Sequence, residues 1–291
     1  MKHALLLCLG LMMIALSSSA QSILKESLTM NSELLKKDVR YSIYLPEGYE
    51  QSNRSYPVLY LLHGYTDDET GWTQFGEVQH IADKAIDSGE ATSMIIVMPN
   101  AEVTWYCNDY RMEYPYEDMF IKELIPFIEK NYRVHRKKQF RAVAGLSMGG
   151  WGALKFSMKY SEQFSACVAF SAAIYTDNQL MNYTQEKYDY RFGFLFGKGL
   201  TGKKRLTEEW KNQQVIYLAE NLSVNKLKSV RYYIDCGDDD ILCLGNAELH
   251  AKLNEKRIPH EFRVRDGRHS WEYWRSGLPE GLKFITKSFH R

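Results

Sequence analysis

The 291-residue chain carries no large excess of charge of either sign: 37 Lys and Arg stand against 36 Asp and Glu, a formal net charge of +1 at pH 7. Nucleic acid is bound through clustered positive charge. The densest basic runs, RVHRKKQFR at 133–141 and GKKRLTEEWK at 202–211, are short and interrupted. Solvated faces account for both, and no nucleic-acid partner is expected. Cysteine is scarce, five in all, with no C-x-x-C pair. Structural zinc sites need paired cysteines or histidines at short spacing, so no metal is expected. Internal repeats and low-complexity linkers are missing too, which argues against a solenoid or a tethered array.

Long apolar runs are also few, and the one that stands out lies in the first twenty residues. Lys2 and His3 open it, ALLLCLGLMMIAL is its centre, and SSSA ends it before Gln21. That order is the signature of a cleavable export signal, and the run is shorter than the ~20 residues a bilayer span needs. Cys8 lies in the run without the small residues that precede a lipidated cysteine. The expectation is a secreted or periplasmic protein with a signal peptide over 1–20, one domain over 21–291, and no stable membrane insertion. Nothing in the sequence sets an oligomeric state. Cys107, Cys167, Cys236 and Cys243 remain after cleavage. Cys167, in SACVAFS, reads as a buried filler, and an oxidising compartment would permit a bridge such as Cys236 to Cys243.

Hydrophobic residues make up 45% of the chain, enough for a substantial core. Strand-like runs recur at 40–46, 56–64, 93–100, 140–145, 166–171, 231–237 and 260–267. Several are continuously apolar, as a sheet covered on both faces requires. Helical patterns alternate with them at about 76–88, 116–132, 148–160, 206–222, 246–256 and 279–289. The fold class expected is α/β, with a mostly parallel central sheet covered by helices on both faces and an antiparallel strand or two contributed by the first forty mature residues. The stretch 172–229, aromatic and glycine-punctuated, departs from the rhythm and reads as an insertion over one edge of the sheet.

The most informative stretch is AVAGLSMGG at 142–150. A strand pattern runs into Gly145-Leu146-Ser147-Met148-Gly149 and a helical pattern begins at once. With 19 glycines in the chain, G-x-S-x-G arises by chance about one time in ten. Its position between strand and helix is what raises its weight. A serine on such a bend is held in a strained conformation, side chains two residues to either side would collide with the adjoining strand and helix, and its hydroxyl points out above the carboxyl end of the sheet. The amino end of the following helix favours a developing oxyanion.

Such a hydroxyl needs a base, and the base needs an acid, in the chain order serine, carboxylate, histidine. After residue 147, Asp235, Asp238, Asp239 and Asp240 compete as the acid; the glycine at 237 favours the loop beyond it, where Asp238 to Asp240 remain equal by position. Of His250, His260, His269 and His290, only His269, in VRDGRHSWEYW, falls on a loop after the last strand. Met148 offers one oxyanion donor, and Gly64 or Tyr65, after VLYLLHG, a second. His63 precedes the serine and reads as a loop organiser. Trp72, Trp105, Trp151 and Trp271 are placed around the expected mouth as substrate-binding candidates, with core packing the alternative for each.

Taken together, LLHGYTDDETGW, GLSMGG, CGDDD and GRHSWEYWR resemble the esterase group of α/β-hydrolases. That group includes esterase D-like enzymes, tributyrin esterases, and the feruloyl and acetyl-xylan esterases of carbohydrate esterase family 1. The resemblance runs from about residue 37 to 285. It implies Ser147 as nucleophile, His269 as base, Asp240 as the acid three residues after the strand-end glycine, and Tyr65 as the second oxyanion donor. It also implies hydrolysis of carboxylic esters through an acyl-enzyme with no cofactor. The substrate expected is a small ester or an acylated oligosaccharide such as feruloylated or acetylated plant polysaccharide. A broad short-chain esterase, an acyltransferase, and a binding protein on an inactive scaffold are the alternatives.

Overall fold

In the computed structural model residues 21–290 are described; the expected signal peptide over 1–20 lies outside the described residues. The apolar runs become strands: β1 (Ile23–Ser32), β2 (Lys37–Leu45), β3 (Val58–Leu62), β4 (Ile95–Pro99), β5 (Arg141–Leu146), β6 (Ala166–Phe170), β7 (Arg231–Gly237) and β8 (His260–Arg265). They form one eight-stranded sheet in the order β1-β2-β4-β3-β5-β6-β7-β8. Pairing is antiparallel from β1 to β2 and from β2 to β4, and parallel from β4 through β8. Every residue of β3, β4, β5 and β6 is buried, which is why these segments do not alternate in polarity. The edge strands β1 and β8 are mixed.

Side chains alternate across the sheet and build a core on each face. Val58, Tyr60 and Leu62 enter one cluster, Leu59 and Leu61 the other. The first face is covered by the helical segment α2 (116–131), α3 (Met148–Lys159) and α4 (Cys243–Glu255), and the second by α1 (Val78–Asp87) and α5 (Trp271–Phe289). Among the described residues no helix is long and apolar enough to cross a membrane.

Boundaries differ from the sequence reading where proline or capping intervenes. The expected single helix over 116–132 contains a π turn, Phe120–Leu124, immediately before Ile125 and Pro126. Proline lacks an N–H and its ring crowds the carbonyl four residues earlier, so a widened turn is a physical response to it. The last helix starts at Trp271, not 279, because Ser270 caps it and Pro279 lies inside it. The expected helix over 206–222 is divided into Glu208–Lys211 and Val215–Asn221.

Between β6 and β7 the stretch 172–229 folds as short helices, among them Gln185–Arg191, whose Tyr190 packs against Tyr65. Arg205, 2% exposed, ties the stretch together by donating to the carbonyls of Leu180, Tyr183 and Leu200. The cysteine bridge permitted by the sequence is not formed. Cys236 is buried in β7, Cys243 is partly exposed at the start of α4, and both are free thiols.

Candidate active site

β3 leads away to β4 on one side and β5 lies on its other side, so the strand order switches direction between them. Crevices form at the carboxyl ends of the strands at such a point. Ser147 stands there, directly after β5 and before Met148, the first residue of α3. Its backbone, at φ 54° and ψ −118°, is in a region costly for a non-glycine residue, about 1–3 kcal/mol. The surroundings fix this bend: Ser147 N–H donates to the Phe170 carbonyl at 2.9 Å, and its own carbonyl accepts from Trp151 at 3.0 Å and Ala173 at 2.9 Å. A β-carbon on Gly149 would lie 2.4 Å from the Leu62 carbonyl oxygen, and one on Gly145 would lie 2.5 Å from the Gly149 backbone. Glycine at both positions therefore lets α3 begin against the end of β3.

The His269 imidazole reaches this hydroxyl from the loop after β8. Its Nε2 is 3.0 Å from Ser147 Oγ and its Nδ1 2.9 Å from Asp240 Oδ2. Burial alone would raise the Asp240 carboxyl, but the His269 ring, the neighbouring Ser171 hydroxyl and the Leu242 N–H outweigh it and hold Asp240 below its ordinary value. An ionised carboxylate only accepts, so Nδ1 carries the hydrogen and the neutral ring presents its Nε2 lone pair to the serine hydroxyl. The Trp274 ring meets the imidazole edge to face at 4.8 Å.

Of the three equivalent acids, only Asp240 turns inward. Its other oxygen accepts from Leu242 N–H at 2.9 Å. Asp238 faces solvent and accepts from the amides of Gly267 at 3.0 Å and Asp239 at 3.1 Å. The Gly267 bond fastens the acid loop to the histidine loop. Gly237 makes the approach possible, since a β-carbon there would stand 2.1 Å from the Gly267 carbonyl oxygen. Asp238, Asp239 and Asp266 bring oxygens within 4.8 Å of one another, all exposed; among the described residues no other cluster of this kind could share an ion. Asp235 is fully buried and held by Arg265 Nε at 2.9 Å and the Tyr233 and Tyr273 hydroxyls. His250 and His260 pair with each other at 2.7 Å, away from the serine, and His290 ends α5.

The loop after β3 is built around His63. Ala101 N–H donates to its Nε2 at 2.8 Å, so its Nδ1 carries the hydrogen and donates to the Gly64 carbonyl, also at 2.8 Å. Burial lowers this imidazole to about 4, which keeps it neutral in that role. The Tyr106 hydroxyl donates to the His63 carbonyl at 3.0 Å. A β-carbon on Gly64 would lie 3.6 Å from Ser147 Cβ, so the Gly64-Tyr65 segment passes directly beside the serine. Met148, first in α3, has an amide without an intrahelical acceptor.

Three of the four tryptophans placed at the mouth are instead internal. Trp72, Trp105 and Trp151 are 0%, 2% and 1% exposed. Trp72 Nε1 donates to the Leu62 carbonyl at 3.0 Å and holds the end of β3, while Trp105 and Trp151 pack against each other at 5.6 Å. Indole area is large enough that burial wins over surface display. Trp271 is partly exposed and stacks edge to face on Trp72 at 5.2 Å.

Several site features left no sequence signal. Trp105 and Tyr106 both have left-handed backbones, at φ 55° and 56°. The fully buried Lys155 donates to the Tyr106 carbonyl and pairs with Glu117 at 3.0 Å. A cavity of about 600 Å³ opens between residues 175–191 and the acid loop, lined by Tyr175, Tyr183, Tyr190, Arg191, Ile241 and Leu242 among others. Its aromatic members fall in the stretch that the sequence singled out for aromatic density, but contacts between segments that distant are set by the fold.

A mostly parallel eight-stranded sheet with a serine on the bend after a central strand is the architecture of the α/β-hydrolases. The chain belongs to the esterase family among them: the family described as "Putative esterase" matches residues 32–285. A solved ferulic acid esterase shares 35% identity and superposes with a TM-score of 0.79 over 92% of this chain and 99% of its own. An esterase of Mycobacterium tuberculosis is 29% identical over 246 residues, 78% of this chain and 52% of the relative, so the chain spans about half the length of that protein. The acetyl esterase of Caldicellulosiruptor saccharolyticus is 23% identical over 271 residues, covering 88% of this chain and 96% of the relative.

Proposed function

We propose that the chain is a serine esterase that cleaves carboxylic esters through an acyl-enzyme. The observation that carries this reading is one imidazole bridging Ser147 Oγ and the Asp240 carboxylate at 3.0 and 2.9 Å. In the proposed cycle His269 Nε2 takes the hydroxyl proton as Ser147 Oγ bonds to the ester carbonyl carbon. Asp240 steadies the imidazolium that forms, and the amides of Met148 and Tyr65 donate to the tetrahedral oxyanion. The imidazolium then protonates the departing alcohol. Water, deprotonated by the same ring, attacks the acyl-enzyme and restores the serine.

We further propose that the acyl groups are feruloyl or acetyl, on plant oligosaccharide or polysaccharide. The ferulic acid esterase and acetyl esterase named among the relatives support this, as does the aromatic lining of the cavity. Ser147→Ala is expected to lower turnover of methyl ferulate or 4-nitrophenyl acetate on the order of 10⁶-fold while leaving the fold intact. A folded, purified S147A protein that hydrolyses these esters at the parent rate defeats the assignment. The parent protein compared on methyl ferulate, acetylated xylan and short-chain esters tests the acyl group.

A further inference from the structure

We propose that the cavity beside the acid loop takes a carboxylate carried by the ester substrate, gripped by Arg191 with Lys187 adding positive charge. This rests on the esterase reading and narrows it to anionic esters, such as an acylated oligosaccharide bearing a uronic acid or the half-ester of a dicarboxylic acid.

Three other inward-facing cations, of which Lys155 and Arg205 are buried and Arg265 half-buried, are held by groups of the protein. Lys155 pairs with Glu117, Arg265 with Asp235, and Arg205 with a ring of carbonyls. Arg191 differs. Its one hydrogen bond within the protein, among the described residues, is to the Tyr175 hydroxyl at 2.8 Å. Its guanidinium carbon lies over the Tyr65 ring, 5.6 Å from the centroid. A guanidinium has five N–H donors in a rigid fork. Tyrosine on two sides fixes this fork in place and leaves most of its donors to a ligand. No carboxylate pairs with it among the described residues, and the rings of Tyr175 and Tyr65 beside it are uncharged phenols near neutral pH.

Lys187 stands one helical turn earlier on Gln185–Arg191 and lines the same cavity. Like charges four apart on a helix repel, and an anion between them converts that repulsion into attraction. Asp189, on the same helix, is engaged elsewhere and accepts from Gly199 N–H at 2.8 Å. The cavity lining includes both cations and neither Asp nor Glu. The rest of the wall mixes aromatic and aliphatic residues with the neutral polar Gln179, Asn182 and Thr184, and Ile241 and Tyr190 stand 81% and 72% exposed at the lip. The planar fork matches a carboxylate through two parallel hydrogen bonds.

The cavity wall touches the catalytic machinery. Leu242, in that wall, donates to Asp240, and Tyr190, also in the wall, packs edge to face on Tyr65 at 6.3 Å. The proposal accordingly places the carboxylate and the ester presented to Ser147 on one substrate molecule.

The test compares kcat/KM within two matched pairs. 4-Nitrophenyl hemisuccinate against 4-nitrophenyl butyrate places the charge on the acyl side. Acetylated xylotriose with and without a glucuronic acid branch places it on the alcohol side. At least one pair is expected to favour the anionic ester by about tenfold or more at low ionic strength, as a hydrogen bond to a charged group supplies. The preference should shrink toward 1 M NaCl, where the screening length is about 3 Å. Arg191→Gln should collapse the ratio and Arg191→Lys should retain part of it, with circular dichroism checking the fold of both. Turnover of the neutral esters with no anionic preference in either pair overturns the carboxylate site and leaves the esterase reading standing. A preference that R191Q leaves intact overturns the assignment to Arg191. No turnover of any ester overturns both readings.

Discussion

Asp238, Asp239 and Asp240 are indistinguishable in a string of letters, and the structure separates them by direction. Asp240 is 5% exposed and bonded to His269; Asp238 is exposed and holds backbone amides. Asp240→Asn presents an amide that permits the wrong imidazole tautomer, and turnover should fall on the order of 10⁴-fold, as for other triads losing their acid. Asp238→Asn keeps an oxygen for the Gly267 amide and should cost less than about tenfold, because no proton-holding group changes. Steady-state kinetics on one ester decides it, and equal losses for the two variants would refute the division of roles. The tryptophans teach the converse lesson. Their number and clustering were legible in the sequence, but whether an indole faces ligand or core depends on which segments close over it. For Trp72, Trp105 and Trp151 the core won.

At the scale of elements, the bend carrying Ser147 was readable because its constraint is local: a strand, a turn too tight for side chains, and a helix. Gly149→Ala should test that constraint. Its methyl would sit 2.4 Å from the Leu62 carbonyl oxygen, a rigid backbone atom that cannot rotate aside. Overpacking of this kind costs about 1–3 kcal/mol, and thermal unfolding should show a Tm lowered by several degrees along with reduced activity. An unchanged Tm would mean that the bend is looser than its contacts imply. The start of α5 was misplaced for an opposite reason. Pro279 looks like a first-turn residue, and only the Ser270 cap and the packing of Tyr273 and Trp274 show that the helix began eight residues earlier. The π turn before Pro126 was equally invisible, since the apolar face of α2 continues through it.

At the scale of the whole molecule, the buried neutral His63 couples stability to pH. Its folded value of about 4 lies below the ordinary imidazole value near 6.5, so the unfolded chain binds the proton more tightly. The stabilisation is complete above about pH 6.5, falls as pH drops, and is lost by about pH 4, a loss of about 3 kcal/mol. Glu117, held down to about 2 against its own burial by Lys155 and Lys159, extends the loss to lower pH. Asp67 acts in the other direction: burial raises it to about 6, so its contribution is present in acid and fades as pH rises through that value. His63 and Asp67 oppose each other between about pH 6 and 4, so urea unfolding reads His63 by difference: the parent should lose more stability, or gain less, from pH 7 to 4 than His63→Gln does. An identical pH dependence in the two proteins would remove His63 from the account.

What the sequence determined by itself is what short-range rules can fix: continuous apolar runs of strand length, their alternation with helical patterns, and a glycine-flanked serine at one junction. Tertiary structure decided the choice among adjacent aspartates, the burial of three tryptophans, the free thiols, and the meeting of Arg191 with Tyr65. Those outcomes depend on segments that the sheet brings together from far along the chain, and their energies belong to pairs of groups that no local pattern records.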